Sequence, residues 1–395
     1  MWRFFSISFH ILIFTIQYLL MNKTIRKISF QLHLWLGIIS GLILFIVCIT
    51  GCLYAFKDEI TNLTQPWRFV TPSNKPTLPP SQIIALSNLA YQTTTKPASI
   101  TFGAEKDAVS IDYYEPNGNY LTVYINPYHG TVIHKIIRTP NEFNFFNFVI
   151  KGHKSLWLPA TIGKPLVGYG VLMFVVVLIT GLILWWPKKW NKKSIKRLST
   201  IKWKASFKRL NFDLHNVPGG YAAILLLILS FTGLIRNMEW FSESIYYLTS
   251  GGKHLIPYSL PLSDPSQSKQ NIALPIDKLY QSLKNTEPLG ETYYLSLPKD
   301  ADDVIRVSVE HKKGSYYRTD NLFFDQYTLK QLSGSGPYAG KYTEVTVADK
   351  LRRMNLDIHD GRIIGITGKI MMFLASLVGA SLPITGILIW FRKQK

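Results

Sequence analysis

The dominant pattern along the chain is four long apolar runs with almost no ionised side chain, at residues 30–56, 165–187, 217–235 and 370–391. Each is about long enough to cross the ~30 Å hydrocarbon layer as a helix rising ~1.5 Å per residue. They predict a four-helix transmembrane bundle and argue against a soluble enzyme. Between the first and second runs, and between the third and fourth, the pattern shortens to a period of two. Leu121-Thr122-Val123-Tyr124-Ile125 and Val304-Ile305-Arg306-Val307-Ser308-Val309 alternate as half-buried strands do, and Asn117-Gly118 is a hairpin-type turn. Residues 81–91 and 275–284 read as helices ahead of strand-bearing stretches at 100–134 and 292–332. Pro- and Ser-rich connectors at 71–81 and 259–268 read as linkers.

Composition agrees with this picture. A chain of 395 residues that is 47% hydrophobic, 13% aromatic and 17% charged is neither disordered, nor collagenous, nor a small disulfide scaffold. A net charge of +20 raises nucleic acid as a partner, but the placement of the charge argues otherwise. Residues 188–209 hold ten Lys or Arg and no acid, the tail adds Arg392, Lys393 and Lys395, and Lys23, Arg26 and Lys27 precede the first run. By the positive-inside rule these segments and both termini are expected on the cytoplasmic side. The two long connections, carrying 23 of the 24 Asp and Glu, are then expected outside.

These readings divide the chain into a leader or signal-like segment (1–23), transmembrane helix 1 (24–56), an outer α+β domain (57–155), transmembrane helix 2 (156–187), a basic cytoplasmic loop (188–212), transmembrane helix 3 (213–238), a second outer α+β domain (239–355), and transmembrane helix 4 with a cytoplasmic tail (356–395). The apolar start, residues 4–21, reads as a signal-like segment, an extra span, or translation upstream of a start at Met21, with the last favoured.

Self-similarity is the most informative feature. Each run ends on one phrase: Ile49-Thr50-Gly51, Ile179-Thr180-Gly181, Phe231-Thr232-Gly233 and Ile384-Thr385-Gly386. Each also has a histidine near its beginning: His33, His153, His215 and His359. The outer segments repeat as well, and Tyr124-Ile125-Asn126-Pro127-Tyr128 and Phe323-Phe324-Asp325-Gln326-Tyr327 close them alike. The chain reads as an internal duplication of span, outer domain, span. Alternating direction then places His33 and His215 at the cytoplasmic boundary, and His153 and His359 at the outer one.

An ionisable residue at a span is costly and points to function. Two neutral imidazoles on facing helices can supply both axial ligands of a haem iron, and a helical bundle can hold so apolar a group. Gly37, Gly41, Gly219 and Gly220 lie within two turns of their histidine. By depth, Gly181 and Gly386 approach the cytoplasmic pair, and Gly51 and Gly233 the outer pair. Glycines there make room for a flat macrocycle, or simply let helices pack closely. A proton relay is the competing use of such histidines, but the runs contain no partnering Asp or Glu. Cys48 and Cys52 fall within the first run as small packing residues, and Met173, Met371 and Met372 as filler. Lys151, Lys154, Arg352, Arg353 and Arg362, beside the outer histidines, suit haem propionates, an anionic iron chelate, or interfacial anchoring. His129, His134, His254 and His311 read as surface residues.

His33 with Gly37 and Gly41, the Thr-Gly endings, Asp213-Leu214-His215 with Gly219, Leu356-Asp357-Ile358-His359-Asp360-Gly361 and the tandem outer segments together resemble the PepSY-associated transmembrane proteins, also called iron-regulated membrane proteins, over about 24–395. The resemblance implies PepSY-like outer domains, two b-type haems, a Gram-negative inner membrane, and reduction of ferric siderophore in the periplasm. The expected function is a haem-containing ferric reductase. It would hold His33, His215, His153 and His359 as iron ligands, and draw electrons from a quinol or a separate cytoplasmic donor. No Gly-x-Gly-x-x-Gly fingerprint is present, and a loop of about 24 residues leaves no space for a flavin or nicotinamide domain. The rival readings are a PepSY-domain protein that binds or anchors a periplasmic peptide, protease or uptake partner, and a small transporter of iron or siderophore.

Overall fold

The computed structural model describes residues 22–92, 95–269 and 276–391. The leader, the last four residues and Pro275 lie outside the described residues, and with them the readings placed there. In chain order the elements are α1 (Lys23–Ala55), α2 (Lys57–Thr64), α3 (Pro80–Tyr91), β1 (Ser99–Phe102), β2 (Val109–Tyr114), β3 (Tyr120–Ile125) and β4 (Val132–Arg138). Then come α4 (Phe145–Ser155), α5 (Ala160–Trp185), α6 (Lys192–Ser199), α7 (Phe207–Asn237), α8 (Glu239–Thr249) and α9 (Ile276–Thr286). The chain closes with β5 (Thr292–Ser296), β6 (Val304–Glu310), β7 (Thr319–Asp325), β8 (Gln331–Leu332), α10 (Val347–His359) and α11 (Gly365–Phe391). Two compact units result, one helical and one built on a sheet.

In the helical unit, α1, α5, α7 and α11 are each long and apolar enough to cross a membrane, the last together with the turn that precedes it. α1 packs against α5 and α11, and α7 packs against the same two, so α1 and α7 sit diagonally in a four-helix bundle. Neighbours are antiparallel, because Arg26 near the start of α1 donates to the carbonyls of Ile183, Leu184 and Trp186 at the end of α5, at 2.8, 2.9 and 3.2 Å. Those carbonyls lack partners within their own helix, and a guanidinium fork there also suits the negative end of the helix dipole.

Helices begin earlier than the apolar runs do. α1 starts at Lys23, where the Asn22 side chain accepts from the Thr24 amide at 2.8 Å, and α7 starts at Phe207. An apolar window registers only the stretch that faces lipid. A helix continues past it wherever neighbours satisfy its polar side chains, as when Asn211 on α7 donates to the Thr385 carbonyl at 3.0 Å. Pro165, Pro218 and Pro383 are interior to α5, α7 and α11 rather than at their ends, which bundled membrane helices tolerate.

The sheet unit corrects one expectation. Instead of two separate outer domains, residues 57–144 and 243–357 build a single antiparallel sheet of order β4-β3-β2-β1-β5-β6-β7-β8. The joint is β1 on β5, with Ile100 opposite Leu295 and Thr101 opposite Tyr294. The period-two pattern marks strands without saying which edges meet. A fully buried core explains the joining: Ile100, Ile111, Val123, Leu295 and Val307 share one cluster with Ile83 of α3 and Leu283 of α9. Either half alone would leave an apolar strand edge unpaired. α4, assigned above to the first outer domain, belongs instead to the helical unit, where it packs on α1 and α5.

The matched strand endings form matched turns. Asn126 Oδ1 accepts from the Tyr128 amide at 2.9 Å, and Asp325 Oδ1 from the amides of Tyr327 and Thr328 at 3.0 and 2.8 Å. Arg353 on α10 also departs from expectation. It is buried, and its guanidinium donates to the carbonyls of Pro337, Thr319 and Ala339 at 2.6, 3.0 and 2.7 Å, so it closes the chain around 337–340 and holds no propionate or chelate. Lysine lacks the planar fork. Arg353→Lys is expected to cost about 1–3 kcal/mol by leaving buried carbonyls unpaired, read as a lower thermal midpoint of the detergent-solubilised chain.

Candidate functional site

The helical unit brings the four histidines together as two pairs. The rings of His33 on α1 and His215 on α7 lie 6.2 Å apart between centroids, with planes at 90°. Those of His153 on α4 and His359 on α10 lie 6.1 Å apart, with planes at 65°. One point differs from the sequence reading: His153 and His359 do not belong to the spans. They end short helices separated from α5 and α11 by sharp turns, through Leu156 (φ 54°), Trp157 (φ 60°) and Pro159 in one case, and through Gly361 (φ 81°) and Gly365 (φ 71°) in the other. Hence the interval from histidine to the Thr-Gly phrase is longer there.

The Thr-Gly phrases act on the histidines directly. A Cβ at Gly181 would lie 3.0 Å from His33 Cε1, at Gly386 3.3 Å from His215 Cε1, at Gly51 3.3 Å from His153 Cε1, and at Gly233 3.5 Å from His359 Cε1. Gly181, Gly386 and Gly51 therefore make room for an imidazole edge, whereas a Cβ at Gly233 would make ordinary contact with its ring; the space expected for a macrocycle is filled by the ring itself. Gly37, Gly41 and Gly219 face Val177, Pro383 and Leu382, and Gly220 faces Trp185, so they permit close helix packing.

The same turns hold each ring at Nδ1. His33 Nδ1 lies 2.9 Å from the Val177 carbonyl, and His153 Nδ1 lies 2.9 Å from that of Val47. His215 and His359 Nδ1 each lie 2.9 Å from a hydroxyl, of Thr385 and Thr232 respectively, and also bond the carbonyls of Leu382 and Leu229. A carbonyl only accepts, so Nδ1 carries the proton and Nε2 keeps the lone pair in the neutral ring. This is the arrangement that metal-ligating histidines use, with an outer partner fixing tautomer and ring orientation.

The ring spacing of both pairs suits two imidazoles on one iron. Two metal–nitrogen bonds of about 2 Å, with roughly 1 Å from each nitrogen to its ring centre, place bis-imidazole centroids about 6 Å apart. Asp213 and Asp357, each two residues before a histidine and fully buried, serve the scaffold. Asp213 takes Arg209 at 2.9 Å and the Lys202 amide at 3.2 Å, and Asp357 takes Ser315 Oγ and the Tyr317 amide, both at 3.2 Å. Lys154 and Arg236 place positive charge beside His153, and Arg236 also beside His359. Arg236, just beyond the third apolar run, was missed because an apolar window ends where it begins.

In the sheet unit the ligand atoms of Glu287, His311 and Asp320 gather within 4.8 Å, a cluster that sequence spacing conceals because turns and strand pairing assemble it. Its groups already have partners. Lys341 pairs with Glu287 at 2.6 Å, and His311 with Asp320 at 2.7 Å. Cys48 and Cys52 are buried free thiols.

Four long apolar helices in a bundle that holds two pairs of oriented imidazoles, with the strands of an antiparallel sheet between them in sequence, define a membrane protein. The chain belongs to the family described as PepSY-associated TM region, whose model matches residues 30–393. Among curated proteins, none matches the chain.

Proposed function

We propose that this protein is a haem-dependent ferric reductase of the bacterial inner membrane, an internally duplicated chain with both termini cytoplasmic and the sheet periplasmic. One haem is assigned to His33 and His215, the other to His153 and His359. The observation that carries the reading is the fourfold repeat of one device: an imidazole held at Nδ1 by a neighbouring Thr-Gly turn, its ring about 6 Å from a second ring held the same way. When bound, haem supplies a one-electron Fe(III)/Fe(II) couple at each end of the bundle.

The chain's own groups do the rest. Nδ1 bonding aims each Nε2, Gly51, Gly181 and Gly386 seat three of the rings, and the apolar bundle excludes water. Lys154 and Arg236 offer positive charge to haem carboxylates or an anionic ferric siderophore at the outer pair. A quinol or a separate cytoplasmic protein is the donor, one electron for each Fe(III) reduced.

The test is a dithionite-minus-oxidised difference spectrum with haem count on full chain purified from haem-supplied cells. Two low-spin b-type centres are expected, and a preparation without any would end the proposal. Gly181→Ala and Gly386→Ala crowd the rings of one pair, so each is expected to lower occupancy of that pair's haem while the other pair stays loaded.

A further inference from the structure

The sheet has two unlike faces. α3 and α9 cover one of them, and the apolar core fills the space between. On the other, strand register lines up short polar side chains in rows. Asp112, Ser99, Ser296 and Arg306 form one row across β2, β1, β5 and β6, and Ser110, Thr101, Tyr294 and Ser308 form the next. Arg306 differs from its neighbours in this row. It is half-buried, its Nε is buried, and its guanidinium donates to no oxygen among the described residues. Instead it lies over the Tyr294 ring, 5.7 Å from the centroid. Asp112 is taken up elsewhere, by Ser99 Oγ at 2.9 Å and Thr122 Oγ1 at 2.8 Å. Glu310 stands four residues farther along β6, about 13 Å away. Buried polar groups are ordinarily paired, so a guanidinium held over a ring without an acceptor is placed to receive one.

We propose that this face of the sheet binds an anionic, oxygen-rich ferric chelate, with Arg306 as the anchor. The inference concerns the sheet unit alone and takes from the reductase reading only the identity of the occupant. A planar guanidinium fork suits paired anionic oxygens. Thr101, Ser110 and Ser296, whose side chains make no hydrogen bond among the described residues, offer hydroxyls to the remaining oxygens. Their small size leaves a floor about 10 Å across from β1 to β6. Arg68 and Arg138, within electrostatic reach of Tyr124 on β3, add positive charge. A peptide that augments a sheet pairs with the main chain of an edge strand, whereas the groups here project from a face, which favours a compact chelate.

The experiment titrates gallium(III) citrate, an anionic chelate whose metal is not reduced, into full-length detergent-purified protein by calorimetry, so that binding is read without haem or turnover. Wild type is expected to bind it, and to bind metal-free citrate more weakly. Arg306→Gln is expected to weaken binding of the gallium chelate about 10–100-fold. Arg306→Lys should fall between, because it keeps the charge and loses the fork. Lys278→Gln removes the same charge from an exposed position on α9, over the opposite face, and is expected to bind as wild type does. Thermal midpoints report folding, and Arg306→Lys decides if Arg306→Gln does not fold. No binding by wild type, wild-type affinity in a folded Arg306 variant, an equal loss in Lys278→Gln, or equal affinity for metal-free citrate overturns the inference. A chain that binds gallium citrate as expected but holds no haem keeps this site and ends the reductase reading, and the reverse result does the opposite.

Discussion

Replacing His33 or His215 by alanine is expected to remove the same low-spin centre, and replacing His153 or His359 to remove the other. The pairing geometry dictates this pattern of coincidence. His33 and His215 stand on diagonal helices with rings 6.2 Å apart, the spacing on which the proposed shared haem rests. A haem held by the pair would lose one of its two histidines in either single variant, and its low-spin spectrum with it, so the second substitution in that pair should add little. The double variant His33→Ala/His215→Ala should therefore look like either single variant, whereas His33→Ala/His153→Ala should lose both centres, as coupled and independent sites behave. Haem count and the low-spin spectrum are the measurements. Four single variants that each weaken both centres would contradict the assignment, and so would four that leave both intact.

The second large effect concerns the sheet. Leu295 is fully buried opposite Ile100 at the β1–β5 joint. Leu295→Ala is expected to cost about 2–5 kcal/mol through lost burial and the cavity left behind. Because one core runs through both halves, the loss should appear beyond the mutated strand. Amide exchange on the full chain should quicken in β2 and β3 together with β6 and β7, as expected of one cooperative unit. Faster exchange confined to β5–β8 would mean that the halves fold independently.

These effects show where sequence reading succeeds and where it stops. The four spans were legible because lipid demands about 20 consecutive apolar residues of a helix. The histidine pairing followed from counting spans and alternating their direction, which needs no contact information. The Thr-Gly phrases were visible as a repeat, but their role was not. That Gly181 seats His33 depends on α1 and α5 lying side by side at one depth, a relation between residues 148 positions apart along the chain. Arg353 misled for a similar reason. A cation near a histidine in sequence suggests a ligand for carboxylates, yet its fork is taken up by carbonyls that only the folded chain brings to it.

Sequence alone determined that the protein is a membrane chain with four helices long and apolar enough to cross a bilayer, since hydrophobic length and periodicity are local properties. Tertiary structure decided that the two strand-bearing segments merge into one sheet, that His153 and His359 ride on separate short helices, and that oxygens from a neighbouring helix orient every imidazole. The physical reason is that strand edges, turns between helices and hydrogen bonds across a bundle are satisfied by partners distant in the chain, and no local pattern names them.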